Sequence, residues 1–233
     1  MSQGDNAFIS IEAEPEPIEI DLLKTAIIVV DMQNAFVRKG GYFDLLGIDV
    51  SATEGIIEPC KNIISEAHAK EIKIVYLQHA YSPALSDTGP KGSPISCKSQ
   101  LLTLIHQNPE LKDKLCLSGS WGGEIIEELK PEPGDIVVKK QKYDGFIGTN
   151  LDIILRTLGI KYLIFVGTAT NICVESTLRR SFFLDYFPIL VSDAVSQKGP
   201  KMMQEATILN VQSTFGWVTG SMRLIKAMDL IKD

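Results

Sequence analysis

The chain is short of several things at once, and each shortage removes a class of function. It has no excess of basic residues: 23 Lys and Arg stand against 29 Asp and Glu, for a net charge of −6. A nucleic-acid backbone needs a positive surface to displace its counterions, so no nucleic-acid partner is expected. No apolar run approaches the roughly 20 residues that cross a bilayer, so no membrane partner is expected either. The N-terminus, Met-Ser-Gln-Gly-Asp-Asn, lacks a basic stretch followed by an apolar one, so it does not read as a secretory signal. Cysteine is scarce. Cys60, Cys97, Cys116 and Cys173 fall in unlike contexts without a C-x-x-C pair, and a chain of 233 residues that is 45% hydrophobic needs no disulfide to hold its core. Free thiols and a cytoplasmic location are the expectation. No strand-like run is followed by G-x-G-x-x-G or G-x-x-x-x-G-K-[ST], which argues against a phosphate-cradling nucleotide site.

What is present is a series of short β-branched runs. Thr25 to Asp31 (TAIIVVD) has the length and composition of a strand buried on both faces. Similar runs occupy Lys73 to Gln78, Asp135 to Val138, Tyr162 to Gly167 and Pro188 to Ser192, with a weaker sixth near Ser213 to Val218. Helical spacing fills the intervals. Ile56, Ile57, Cys60, Ile63, Ile64 and Ala67 form one apolar stripe, and Leu151 to Leu158, stopped by Gly159, forms another. Segments 174–186 and 202–211 also read as helices. Strands alternating with helices predict an α/β fold with a parallel sheet and right-handed crossovers. The acidic residues 1–20, with Pro15 and Pro17, read as a tail lying over the surface, and 21–233 as a single domain.

A parallel sheet gathers ligands at the carboxyl ends of its strands. Those ends are Asp31, the loop after Gln78, the pair Lys139–Lys140 and the turn after Gly167. The loop from His79 to Lys98 is long enough to form a lid or a pocket wall. Cys173 follows the turn GTATNI at the start of a helix, where free N–H groups favour a thiolate and can hold an oxyanion. A small buried thiol explains the same residue equally well. Asp31 reads either as a site carboxylate or as a helix cap. Adjacent strand residues point to opposite faces, so one of Lys139 and Lys140 faces the site. A carboxylate to take the thiol proton and an ammonium to steady that carboxylate make a coherent set with Cys173.

Three segments carry a family resemblance: VVDMQNAFVRKGGYFDLLG, GDIVVKKQKYDGFIGTNLD and GTATNICVESTLRRSFFLDYFPILVSDAV. They resemble the isochorismatase-like cysteine hydrolases, and within them the ureidoacrylate amidohydrolase branch. The resemblance implies a three-layer αβα domain around a six-stranded, mainly parallel sheet. It implies Asp31 as general base, Lys140 as catalytic lysine and Cys173 as nucleophile. It also implies a cis peptide between Thr168 and Ala169, with the Ala169 and Cys173 amides as oxyanion donors. The implied reaction is hydrolysis of a C–N bond in a small ureido or amide substrate through a thioester, and the implied assembly a homodimer or homotetramer. Phe215 and Trp217 are candidates for its interface.

The pocket departs from that branch. Its Asn-Gly-Trp pattern after the second strand stands here as His79-Ala80-Tyr81. His79, Tyr81, Tyr143 and Lys142 are the candidate substrate contacts, Lys142 for a substrate carboxylate. Metal-dependent relatives carry Trp-His-Pro where this chain has Tyr81-Ser82-Pro83, and His68 and His106 read as helix-surface residues. One imidazole does not make a zinc or iron site, so no metal and no cofactor are expected. N-carbamoyl amino acid, biuret-like and carbamate hydrolysis remain alternatives with the same three residues. A non-catalytic metabolite-binding or scaffold protein is the alternative from another class.

Overall fold

The computed structural model describes residues 8–230. Its strands are β1 (Phe8–Ile11), β2 (Ile18–Asp21), β3 (Thr25–Val30), β4 (Lys73–His79), β5 (Ile136–Lys140), β6 (Tyr162–Thr168), β7 (Phe187–Ser196) and β8 (Trp217–Thr219). The principal helices are α1 (Ile57–Ala69), α2 (Gln100–Gln107), α3 (Leu151–Thr157), α4 (Glu175–Phe183), α5 (Met202–Asn210) and α6 (Ser221–Met228). Strands β3 to β8 form one sheet in the order β5-β4-β3-β6-β7-β8, parallel throughout. The chain builds outward from β3 in one direction through β4 and β5, then in the other through β6, β7 and β8. The switch between β3 and β6 opens a crevice at their carboxyl ends.

Strand β3 shows why three layers form. All six of its residues are buried. Ile27 and Val29 join the core that holds Ile63 of α1 and Leu224 of α6. Ala26, Ile28 and Val30 join the opposite core, with Leu155 of α3 and Leu178 of α4. A period of two therefore sends alternate residues to two helical layers.

Three boundaries differ from the sequence reading, the first being that β7 runs past Ser192 to Ser196. Strand β5 runs on through Lys139 and Lys140. At the far edge, residues 211–215 continue α5 as a wide helical turn, which leaves only Trp217–Thr219 for β8. The acidic N-terminal segment is ordered from Phe8, and residues 1–7 lie outside the described residues. Strands β1 and β2 pair antiparallel, with Ile9, Ile11, Ile18 and Ile20 buried in the core that holds α6. Between these strands Glu14 exchanges backbone hydrogen bonds with Val218 at 2.8 and 2.9 Å, which covers the open edge of β8.

Gly167 fixes the approach of β6 to β3. It lies at a register shift in β6 with φ of +109°, and a Cβ there would stand 2.2 Å from the Val30 carbonyl oxygen. Both obstacles are backbone, so neither can yield by a rotamer change. Gly167→Ala is expected to destabilise the fold by more than about 2 kcal/mol. Gly159→Ala, at φ +69° with open space around it, is expected to cost about 1 kcal/mol. Urea unfolding of the two variants measures the difference.

Candidate active site

Three parallel strand ends and one turn converge on the crevice. Asp31 follows β3 with φ of +49°, a region few non-glycine residues enter, and its N–H donates to the Leu77 carbonyl at 2.9 Å. That backbone turn directs the carboxylate inward. Oδ1 accepts the His79 N–H at 3.0 Å and Oδ2 accepts Lys140 Nζ at 2.7 Å. Lys140 and Asp31 are 0% and 1% exposed, so this is a fully buried ion pair. The parity of β5 decides which lysine faces in: Val138 and Lys140 are buried, whereas Val137 and Lys139 are exposed. In the register Lys140 lies beside His79.

Cys173 sits in the wide helical turn Thr170–Val174, which leads from β6 into α4. The Thr168–Ala169 peptide that enters this turn is cis. Thr177 in α4 donates to the Cys173 carbonyl at 2.7 Å and accepts the Gly145 N–H at 3.0 Å. The cysteine turn is thereby tied to the loop after Lys140. A side chain on Gly145 would meet Leu77 Cδ1 at 2.6 Å and Thr177 at 3.1 Å, so glycine lets that loop close down.

The thiol is buried close enough to Asp31 and Lys140 for both charges to act on it. Burial pushes its pKa far above the usual thiol range; Lys140 pulls it back, and Asp31 pushes it further up. The helix-tip argument favoured a thiolate, but desolvation is the larger effect, and the free protein holds a thiol. For Lys140 burial acts downward, yet the adjacent Asp31 carboxylate acts against it and its pKa rises from 10.5 to about 12. Cys173 is thus buried beside the Lys140–Asp31 ion pair.

A cavity of about 50 Å³ opens onto Cys173 and Asp31, and Thr168 and Ala169 share its wall. His79 and Tyr143 line it. Tyr81 does not; it packs edge-on against the His79 ring at 4.9 Å between centroids. Lys142 is also off the wall: its carbonyl accepts Lys140 Nζ at 3.2 Å, and its own Nζ lies beside Gly89. Sequence reasoning missed Phe36, Tyr42, Phe43, Ser99 and Lys198, which complete the enclosure. It also missed the job of Gln33. The Gln33 amide donates to the carbonyls of His79 and Gly123 at 2.9 and 2.8 Å and accepts the His79 N–H at 2.8 Å. The signal was there in Asp-Met-Gln-Asn, but the partners lie 46 and 90 residues away. Among the described residues no three His, Cys, Asp or Glu side chains gather where they could hold a metal ion. His106 is on the exposed face of α2, and His68 in α1 pairs with Asp135 at 2.9 Å.

His79 is buried, and its Nδ1 has no hydrogen-bond partner. Burial, then the charges of Lys140 and Lys142, hold its pKa well below the usual 6.5, so the ring is neutral. The unfolded chain takes up a proton near pH 6.5 that the folded protein refuses. Stability is therefore lost as pH falls below that value, by up to about 1.4 kcal/mol per pH unit. His79→Asn is expected to flatten this part of the profile, as followed by urea unfolding at stepped pH.

Comparison with known proteins agrees with this geometry. The family model described as the isochorismatase domain matches residues 25–222. The protein named ureidoacrylate amidohydrolase RutB from Yersinia enterocolitica is 46% identical over 209 residues, covering 90% of this chain and 91% of its own length. The one of the same name from Caulobacter segnis is 44% identical over 211 residues, covering 91% and 88%. Among solved structures, a cysteine hydrolase from Pseudomonas syringae pv. phaseolicola superposes with a TM-score of 0.75 at 27% identity, covering 97% of this chain and 99% of that one. N-carbamoylsarcosine amidase from Thermoplasma acidophilum gives 0.63 at 25% identity, covering 85% and 96%. With a matching model over most of its length and a sheet, switch point and cysteine turn of this form, the chain belongs to the isochorismatase family.

Proposed function

We propose that the protein is a cysteine amidohydrolase that cleaves a C–N bond of a small ureido or amide substrate, with a ureidoacrylate-like compound favoured. The observation that carries this reading is that Cys173 and Asp31 share the wall of one cavity, with Lys140 paired to Asp31 behind it. The names borne by relatives at 44–46% identity support the substrate class.

In the reaction so proposed, Asp31 accepts the Cys173 proton as sulfur attacks the substrate carbonyl. Burial disfavours a free thiolate, so this transfer waits for the substrate. Charge then leaves the sulfur and collects on the carbonyl oxygen, where the amides of Ala169 and Cys173 donate to it. Asp31 returns the proton to the departing nitrogen as the C–N bond breaks. The same carboxylate then takes a proton from water, whose oxygen attacks the thioester and frees the thiol. A ureido substrate leaves as a carbamate, which loses carbon dioxide in solution. Lys140 remains an ammonium throughout and holds the Asp31 carboxylate in place. The neutral His79 ring, with Nδ1 unpaired, is positioned to hydrogen-bond the ureido group, and Tyr143 to cover it.

The likeness to N-carbamoylsarcosine amidase supports N-carbamoyl amino acids as the second substrate class. Assembly as a homodimer or homotetramer belongs to the same proposal. It is supported by Phe215, which forms an aromatic cluster with Phe182 and Phe183, both solvent-exposed.

Ammonia release from a panel of ureido compounds tests the reading. Cys173→Ala is expected to lose on the order of 10³-fold or more in kcat. Asp31→Asn is expected to lose about 10²–10⁴-fold. A thioester adduct should appear in the mass of acid-quenched wild type and be absent from Cys173→Ala. Full activity in either variant overturns the mechanism.

A further inference from the structure

Two of the residues lining the cavity carry formal charge, Asp31 and Lys198. The charge of Asp31 is met by Lys140 at 2.7 Å. Lys198 has no carboxylate partner among the described residues. Its Nζ donates to the neutral side-chain oxygen of Gln100 at 2.6 Å, and lies 5.5 and 5.7 Å from the ring centroids of Tyr42 and Phe43. The side chain is partly buried, and burial pulls its pKa below 10.5 with no opposing influence. An ammonium withdrawn from water without a countercharge is held at a cost, and an anion entering the cavity relieves it.

The placement of this cation relative to the thiol is fixed. Asn171, two residues before Cys173, accepts the Lys198 N–H at 3.0 Å and donates to the Lys198 carbonyl at 3.1 Å. The Lys198 backbone is therefore tied by both its polar groups to the turn that carries the nucleophile. Gln100 stands at the start of α2, next to Ser99 and Leu101, which line the cavity themselves. The ammonium is thus held from one side by the cysteine turn and from the other by α2.

We infer that Lys198 is a specificity residue, which pairs with an anionic group, most simply a carboxylate, carried by the substrate away from the carbonyl that Cys173 attacks. The inference rests on the hydrolase reading for the identity of the reacting group, but not for the charge recognition. It gives Lys198 the role that the sequence suggested for Lys142, whose ammonium lies beside Gly89 and off the cavity wall. It also makes the substrate bifunctional. A carbonyl is held at the closed end by the amides and His79, and an anion is held by Lys198 and Gln100. An uncharged amide of the same size satisfies only the first.

The test compares 3-ureidoacrylate with its methyl ester, which keeps the ureido group and loses the charge. In wild type, kcat/KM is expected to favour the acid. Lys198→Met is expected to lower kcat/KM on the acid at least tenfold more than on the ester, chiefly through KM, and Lys198→Arg to restore much of the loss. Calorimetric binding of both compounds to Cys173→Ala, with and without Lys198→Met, reads recognition without turnover. If Lys198→Met changes acid and ester alike in both assays, the inference is overturned and the hydrolase reading stands. If wild type releases no ammonia from either compound while the acid still binds in a Lys198-dependent way, the hydrolase reading fails and the inference stands. If the acid binds no better than the ester to the Lys198-containing protein, the inference is overturned whatever the turnover.

Discussion

An ammonium and a carboxylate with almost no solvent exposure persist only because each supplies the other's countercharge. Lys140 and Asp31 do so at 2.7 Å, and every other feature of the crevice is arranged around that pair. Removing either partner leaves a lone charge in the interior, which is far less favourable than the pair itself. The remaining hydrogen-bonding capacity is spent on main chain. Asp31 also accepts the His79 N–H, and Lys140 also donates to the Lys142 carbonyl. The pair therefore joins the ends of β3, β4 and β5 while it serves the chemistry. The conserved parity of a strand, two residues per repeat, is what lets an edge strand deliver its last side chain to the same point as the central one.

That pair also sets the state of the thiol. Cys173 is buried beside one positive and one negative charge, which act on it in opposite senses, so desolvation dominates and the sulfur stays protonated. A thiol held beside a ready carboxylate is a different device from a thiolate stabilised in the resting protein. Under the proposed mechanism, it becomes a nucleophile only when a carbonyl is present to receive the charge.

The cavity divides into a floor and a wall with different logic. The floor is made of residues at strand ends, braced by long-range contacts such as the Gln33 clamp on His79 and the Thr177 link between the cysteine turn and Gly145. The wall comes from separate segments: Phe36, Tyr42 and Phe43 after β3, Ser99 and Leu101 around α2, and Lys198 after β7. Change in the wall alters what is bound without disturbing the buried pair.

Much of this was readable before any coordinates. The β-branched runs announced strands buried on both faces, because the five residues from Ala26 to Val30 include no polar one and have no side to turn to water. The strand–helix alternation placed Asp31, the Lys139–Lys140 pair and the cysteine turn at strand carboxyl ends, and the family resemblance singled out Lys140. Other features were hidden for specific reasons. Lys139 and Lys140 masked the end of β5, since two charges do not look like strand until one has a buried partner. The prolines and acidic residues of the N-terminal segment obscured the alternating Ile9, Ile11, Ile18 and Ile20 that bury its hairpin. The sequence by itself determined the layers, the order of chemical groups along the chain and the types of residue at the strand ends, because these follow from local periodicity. Only the tertiary structure decided that Tyr81 backs His79, that Lys142 leaves the wall and that Lys198 enters it. Those outcomes depend on how segments far apart in the chain pack and desolvate one another, and no local pattern encodes that.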